Sequence, residues 1–569
     1  MMKSTAKREE TCAWAADRLF NFRPIFFCAV FLCLGIVFAY GHLLLDASAW
    51  WLLCFLPLFA FPLLFLKDTK KMKKTVLAVL LLGVSFSIGG FAFYNQLSNF
   101  QSAPVYEGET YVVGKTVAMR KSGDYCVVSL EDFVIGGNAV DGQIIAYLPA
   151  SFYGNIHLAD KLMLRGNVTT NLDFFGYYGF RAGDIDEGVR YTIWVEESDS
   201  TAAIQNVSVI GCSSDVFLLA KKRIQESVYA GMDDTPAAVT MAVLTGDRTG
   251  IEKGLYDNIR AGGVAHIFAV SGLHIGAMFG FCMLILEGGD RKRGGRASRF
   301  IITSAVLIGY AGVCGFSPSV LRATVICLVS YAAKLTGLTV DFLQAIGASA
   351  IIVLCISPVT LMEAGFQLSF LACLGLALLT RPLRLAMESA CCKVRSWFPK
   401  TLSPAEIRAI KNDDTLPASL SERIRRSVIS FLSASLATQI FTAPLLMSLY
   451  GYLSGWSLLL NCLFIPVISV GFSFVLLLVL LVCILPEACA AVLLYLPNVI
   501  WSALLLLFET IDFSTFALTG LKLSLGSYVS YYGGCVFATD KWNVTPRLRR
   551  VLTIACVFAF AVTMFVTNL

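Results

Sequence analysis

Residues 455–485 pass without a single Asp, Glu, Lys, Arg or His. A bilayer crossing takes about 20 apolar residues, and comparable runs recur along the chain. Lipid offers no water to satisfy peptide groups, so such runs fold as helices whose hydrogen bonds close internally. The composition agrees: 57% of the 569 residues are hydrophobic and 15% are charged, against about 25% charged in soluble domains. The expected fold is a polytopic α-helical membrane protein. Most of the 18 cysteines lie in apolar segments without a CxxC pair and read as small hydrophobes rather than a disulfide or zinc framework.

Short loops rich in Lys and Arg stay in the cytoplasm, which orients the spans. Residues 1–99 hold the N-terminal membrane helices, near 24–45, 50–66 and 75–94, with the loop KDTKKMKK between the last two. The first is too long for a signal-peptide core and is read as an uncleaved helix. The N-terminus is then cytoplasmic, and the chain reaches the outer face near residue 100. Residues 100–212 change to short alternating runs such as YVVGKTVAM and KLMLRGNV, parted by Gly, Asn and Asp turns. They point to an inserted extracytoplasmic all-β domain, with a small OB-like barrel as the leading candidate. Seven Lys and Arg face fourteen Asp and Glu there, so the domain lacks the footprint of a strong phosphate binder. Base stacking on Phe174, Phe175, Tyr177 and Tyr178 is the route left open; barrel packing is its rival. Cys126 and Cys212 form a candidate disulfide across this domain.

Residues 213–263 are polar and helical without a span, which suits amphipathic helices at the outer membrane surface. Residues 264–569 form a second membrane domain. Its loop 381–426, with ten Lys and Arg against five acids, is expected in the cytoplasm. The run 455–485 contains Asn461 and Pro466 and is expected to be one broken element that crosses once. Loop parity then places the C-terminus outside.

Within residues 262–280, GGVAHIFAVSGLHIGAMFG, Gly272, Gly276 and Gly280 recur every fourth residue, a spacing for close helix packing. His266 and His274 stand eight apart and only His42 and His157 remain elsewhere, so no multi-histidine metal site and no cofactor are expected. Arg322 follows a Ser-Pro-Ser break, Gln367 shares a helix face with Glu363, and Asn461 accompanies Pro466. Polar groups at membrane depth mark a pathway or meet a partner; an interhelical hydrogen bond is the plainer reading for any one of them. Asp247 and Arg248 sit in a turn where pairing or capping is the expected role. The chain has no HxHxDH, GxxxxGK[ST] or HExxH pattern, so no nuclease, ATPase or protease centre is expected. A secondary transporter or lipid-handling membrane protein is an alternative class on these residues.

Residues 244–280, LTGDRTGIEKGLYDNIRAGGVAHIFAVSGLHIGAMFG, closely resemble the signature of the ComEC-type competence proteins, the inner-membrane channels of bacterial DNA uptake. The likeness continues in FSPSVLRATVI (316–326), GFQLSFLACLGL (365–376) and residues 443–468. The resemblance implies transport of single-stranded DNA across the bacterial cytoplasmic membrane during transformation. Asp247, Arg248, His266, Ser271, His274, Arg322, Gln367 and Asn461 are the matching polar motif positions, expected to line or brace the conduit. Many members carry a C-terminal metallo-β-lactamase-like domain; no histidine follows His274, so a form without that activity is expected. The implied partners are a cytoplasmic helicase-like motor, an extracytoplasmic DNA receptor and a separate nuclease.

Overall fold

The computed structural model describes residues 23–45, 70–176, 179–195, 206–268, 270–286, 293–337, 341–396, 420–539 and 545–568. The expected crossing at 50–66 and the centre of the basic loop 381–426 lie outside the described residues. Seven helices among those described are long and apolar enough to cross a membrane. The protein is a polytopic helical membrane protein with an inserted sheet domain, and its chain divides into two compact units.

The larger unit comprises residues 24–367 and 463–515. It opens with α1 (Pro24–Leu45) and α2 (Lys70–Gln101), which cross at glycines. A Cβ on Gly35 would collide with the carbonyl of Phe86, and one on Gly89 with that of Leu32. Helix α2 runs past its expected end near 94. Leu97 and Phe100 bury one edge of that last stretch while Asn95 and Asn99 stay exposed, so an amphipathic turn continues where the apolar run stops.

The inserted domain consists of β1 (Gly108–Ser122), β2 (Tyr125–Ile135), β3 (Asn138–Pro149), β4 (Asp160–Thr170), β5 (Val189–Trp194) and β6 (Val207–Cys212), with α3 (Ala182–Glu187) between β4 and β5. The strand order is β1-β2-β3-β5-β4-β6, and β1 also pairs with β4. That second pairing closes the sheet on itself and removes its β1 edge. Strands β3 and β5 run parallel and the other pairs antiparallel. Burial alternates along β4, with Leu162, Leu164 and Val168 inward. Tyr191 is fully buried, and its hydroxyl donates to Pro104 O at 2.8 Å. The expected Cys126–Cys212 disulfide is not formed. Both are free thiols, because Cys126 points into the barrel core while Cys212 is exposed at the end of β6.

Three helices follow, α4 (Val216–Gly231), α5 (Asp234–Thr245) and α6 (Lys253–Ala261). Asp215 caps α4 by accepting the N–H groups of Phe217 and Leu218 at 3.0 and 3.2 Å, and it takes Lys115 Nζ from the barrel at 3.1 Å. Residues 236–245 of α5 are all buried. This region is therefore not a surface layer throughout, since PAAVTMAVLT has no charged face to present to water.

The remaining helices are α7 (Gly272–Leu286), α8 (Arg293–Val313), α9 (Pro318–Thr336), α10 (Phe342–Ile356), α11 (Ala364–Ser396), α12 (Leu420–Tyr450), α13 (Ser457–Ile484) and α14 (Tyr495–Thr510). The break expected in 455–485 is absent: α13 is continuous with Pro466 inside it. Proline deletes one backbone donor, and an otherwise apolar helix in lipid keeps the rest of its ladder. Asn258 of α6 ties down the end of α14, donating to Phe508 O and Ile511 O and accepting from Phe513 N–H.

The smaller unit spans residues 1–23, 368–462 and 516–569. Its strands β7 (Tyr452–Ser454) and β8 (Ala517–Thr519) pair antiparallel, and α15 (Leu525–Ala538) is followed by α16 (Pro546–Asn568). Pro444 lies inside α12, so Ile440 O, four residues back, has no helical donor. Tyr531 of α15 supplies one at 2.8 Å, flanked by Tyr532 donating to Phe441 O at 3.0 Å. Replacing Tyr531 by Phe should cost about 1–2 kcal/mol, read as a lower thermal midpoint of the purified protein. In a Pro444→Ala background Ile440 O regains a backbone donor, and the same change should then cost little. Equal losses in both backgrounds would refute this pairing.

Candidate functional site

Helix α7 does not start where the apolar run does. Residues 264–268 form turns, with His266 exposed, and the helix begins at Gly272. Ser271 stops the helix from extending backwards. Its Oγ accepts Leu273 N–H at 3.3 Å, while its own N–H donates to His274 Nδ1 at 3.0 Å. This is a capping box in which histidine takes the usual Glu or Gln place. The bond also fixes the ring: Nδ1 accepts, so the proton sits on Nε2. His274 is fully buried, its ring stands edge-on to Phe472 with centroids 4.8 Å apart, and its Nε2 has no hydrogen-bond partner among the described residues.

Arg322, one turn into α9, lies 5% exposed. Pro318 occupies the first turn of that helix, where a missing N–H costs nothing, and Ser319 Oγ donates to Val270 O at 3.1 Å. The guanidinium reaches the start of α7: a Cβ on Gly272 would stand 3.4 Å from Arg322 Nη2. Gly272 thus makes room for a cation. Gly276 and Gly280 do not form the expected packing face; both are exposed, and a Cβ at either meets nothing. The buried edge of α7 is His274, Ile275 and Met278 instead.

Asp247 braces α4. Lys221 Nζ lies 2.9 Å from its Oδ2, with the two side chains 17% and 11% exposed. Thr249 donates its hydroxyl and its N–H to Oδ1 at 2.6 and 3.1 Å. Burial works to raise the Asp247 pKa, but the ammonium and the Thr249 donors outweigh it and hold the carboxyl below the usual range. Arg248 is exposed and donates to Tyr256 Oη at 2.7 Å. The three consecutive cations of α4 are all engaged: Lys221 on Asp247, Lys222 on Asp160 of the barrel at 3.0 Å, and Arg223 on Cys483 O of α13 at 3.3 Å.

The other expected positions are scattered. Gln367 Nε2 turns back to Leu361 O at 2.9 Å and closes the turn before α11. Asn461 belongs to the smaller unit; it is 4% exposed with Oδ1 lacking a hydrogen-bond partner among the described residues. Phe174 packs on Phe100 of α2, and Phe175 edges Phe180, which in turn meets Tyr40 of α1. That aromatic turn therefore docks the barrel on the first two helices. Tyr177 and Tyr178 lie outside the described residues. Sequence reasoning missed Asn258 and the division of labour among Lys221, Lys222 and Arg223; the KKR run inside an apolar pattern was the available signal.

An arginine and a capped histidine buried among apolar helices, in a chain with an inserted sheet domain, define a polytopic membrane protein with a polar interior site. Residues 243–544 match the Competence protein family, more than half the chain, and the chain belongs to that family as a ComEC-type competence protein. It is 32% identical over 181 residues to ComE operon protein 3 of Bacillus subtilis strain 168, a match covering 32% of this chain and 23% of that relative. No solved structure matches the chain.

Two outcomes are expected. Solid-state nitrogen NMR of histidine-labelled protein, with His274→Gln to assign the signal, should show His274 carrying its proton on Nε2; an Nδ1-protonated ring would contradict the capping box. Replacing Asp247 by Asn leaves Lys221 without its counter-charge and should cost ~1–3 kcal/mol at neutral pH. The folded pKa lies below the unfolded one, so this contribution is complete above about 3.9 and fades as pH falls through that value toward the folded pKa. Thermal midpoints of wild type and variant should therefore converge at acidic pH; a constant gap would refute the ion pair's role.

Proposed function

We propose that this chain conducts single-stranded DNA across the bacterial cytoplasmic membrane during transformation, entering on the side of the inserted domain. Family membership supports a role in competence, and the observation that carries the transport reading is Arg322 against the start of α7. A guanidinium and the amide end of a helix are both positive. Set side by side at membrane depth, they favour a shared anion. A phosphodiester backbone offers one at every nucleotide, and a conduit must hold each weakly enough to release it. One buried arginine beside the start of α7 meets that need better than a dense basic stripe.

The closed strand order supports reading the inserted domain as an OB-like barrel, extracytoplasmic, with the N-terminus in the cytoplasm. The chain acts in this reading as a conduit and not as an enzyme. Directional force comes from a cytoplasmic helicase-like motor, DNA arrives through an extracytoplasmic receptor, and strand degradation falls to a separate nuclease. A deletion strain should lose transformation. Complementation with Arg322→Ala should restore at least about tenfold less uptake than wild type, the equivalent of roughly 1.4 kcal/mol, at equal membrane abundance, with Arg322→Lys intermediate. Normal uptake in the deletion strain would end the transport reading; wild-type uptake with Arg322→Ala would end the assignment of the site.

A further inference from the structure

Where the polar end of α2 meets the barrel, a cleft of about 380 Å³ opens, lined by Asn95, Asn99 and Phe100 on one side and Asp186, Glu187 and Arg190 on the other. Its size falls at the lower end of the range for ligand sites, about 300–1,000 Å³. Asn95 and Asn99 sit one helical turn apart and exposed, and neither carboxamide has a hydrogen-bond partner among the described residues. Their neighbour Gln96 is fully engaged, donating to Ser357 Oγ at 2.9 Å and accepting Val359 N–H at 3.0 Å. That clamp holds this turn of α2 in place.

Arg190 does not serve as a free anion receptor. Its guanidinium lies over the Phe100 ring, 5.3 Å from the centroid, and donates to Asp141 O at 3.1 Å and Asn99 O at 3.4 Å. The cleft's remaining charged groups are therefore Asp186 and Glu187: Asp186 Oδ1 takes Thr360 Oγ1 at 3.4 Å and the carboxyl also pairs with Glu363, while burial and then the neighbouring carboxylates raise the Glu187 pKa. A phosphate entering here would meet carboxylates. A nucleobase would meet two open amide edges, carboxylate acceptors and a flat cation-covered wall. Carboxylates accept from the cytosine amino group and Asn pairs with the adenine edge, whereas thymine carries no exocyclic amine.

We propose that this cleft binds one unpaired nucleobase by its edge, favouring bases with an exocyclic amino group. The proposal rests on the DNA-uptake reading and names what the barrel side recognises. It also accounts for an inserted domain with twice as many acids as bases: the strand is gripped there by bases, which the carboxylates attract, and not by phosphates, which they repel.

The test uses the full chain in lipid nanodiscs and fluorescence anisotropy with labelled single strands of equal length: oligodeoxycytidine, oligodeoxythymidine and an abasic strand. Oligodeoxycytidine should bind at least about fivefold tighter than oligodeoxythymidine, and the abasic strand weakest. The double variant Asn95→Ala with Asn99→Ala, and separately Asp186→Asn, should bring the two homopolymers together without changing the abasic strand. Both asparagines are exposed, so the fold survives their loss, and a wild-type gel-filtration profile checks it. Equal binding of all three strands, a preference that persists in the variants, or no binding at all would each overturn the proposal. Lost transformation in the deletion strain combined with any of these outcomes would sink the cleft alone; normal transformation there would sink the uptake reading itself.

Discussion

The larger unit hangs on a strap of buried and half-buried charge at α4. Within one helix, the cap Asp215 takes Lys115 from the barrel, Lys222 returns to Asp160, Lys221 reaches Asp247 beyond the buried α5, and Arg223 closes on a carbonyl of α13. The three lysines are short of water while Arg223 stays exposed, and pulling the partner from a covered lysine leaves it uncompensated, which costs more than the pair gains. The strap thus works less as glue than as a register device. It accepts one arrangement of barrel, turn and helix and penalises the rest.

The same logic runs through the interior. A membrane helix cannot leave a backbone group unmet, and this chain meets the exceptions with side chains, from a neighbouring element or from the helix itself. Tyr531 answers the carbonyl that Pro444 frees, Asn258 collects the end of α14, and Ser271 with His274 closes the start of α7. Each device needs one residue type at one place. Among the polar residues of the apolar half, Arg322 is the one for which an anion at the start of α7 is proposed.

The spans, the β-rich insertion and the family were legible in the sequence because they rest on period, composition and a long specific motif. What stayed hidden depends on distant partners. Spacing alone made Gly276 and Gly280 look like a packing face, but which edge of α7 is buried is decided by its neighbours. The span ending near 94 was cut short because a hydropathy pattern sees apolar runs, not the amphipathic turn that follows. Cys126 and Cys212 suggested a bridge by being two; strand direction, unreadable from the residues, sends one thiol inward and leaves the other exposed. Pro466 suggested a break, yet the helix absorbs it.

The acidity of the inserted domain reaches beyond its pairwise contacts. Binding through phosphates displaces condensed counterions, so affinity collapses as salt rises. A surface of net negative charge has few counterions of the strand to release and repels its phosphates, so a grip by base edges there would tighten as salt screens that repulsion. If the proposed cleft holds the strand, a saline medium would favour that first grip rather than oppose it. Weakening by salt would enter only at a phosphate contact such as the one proposed for Arg322.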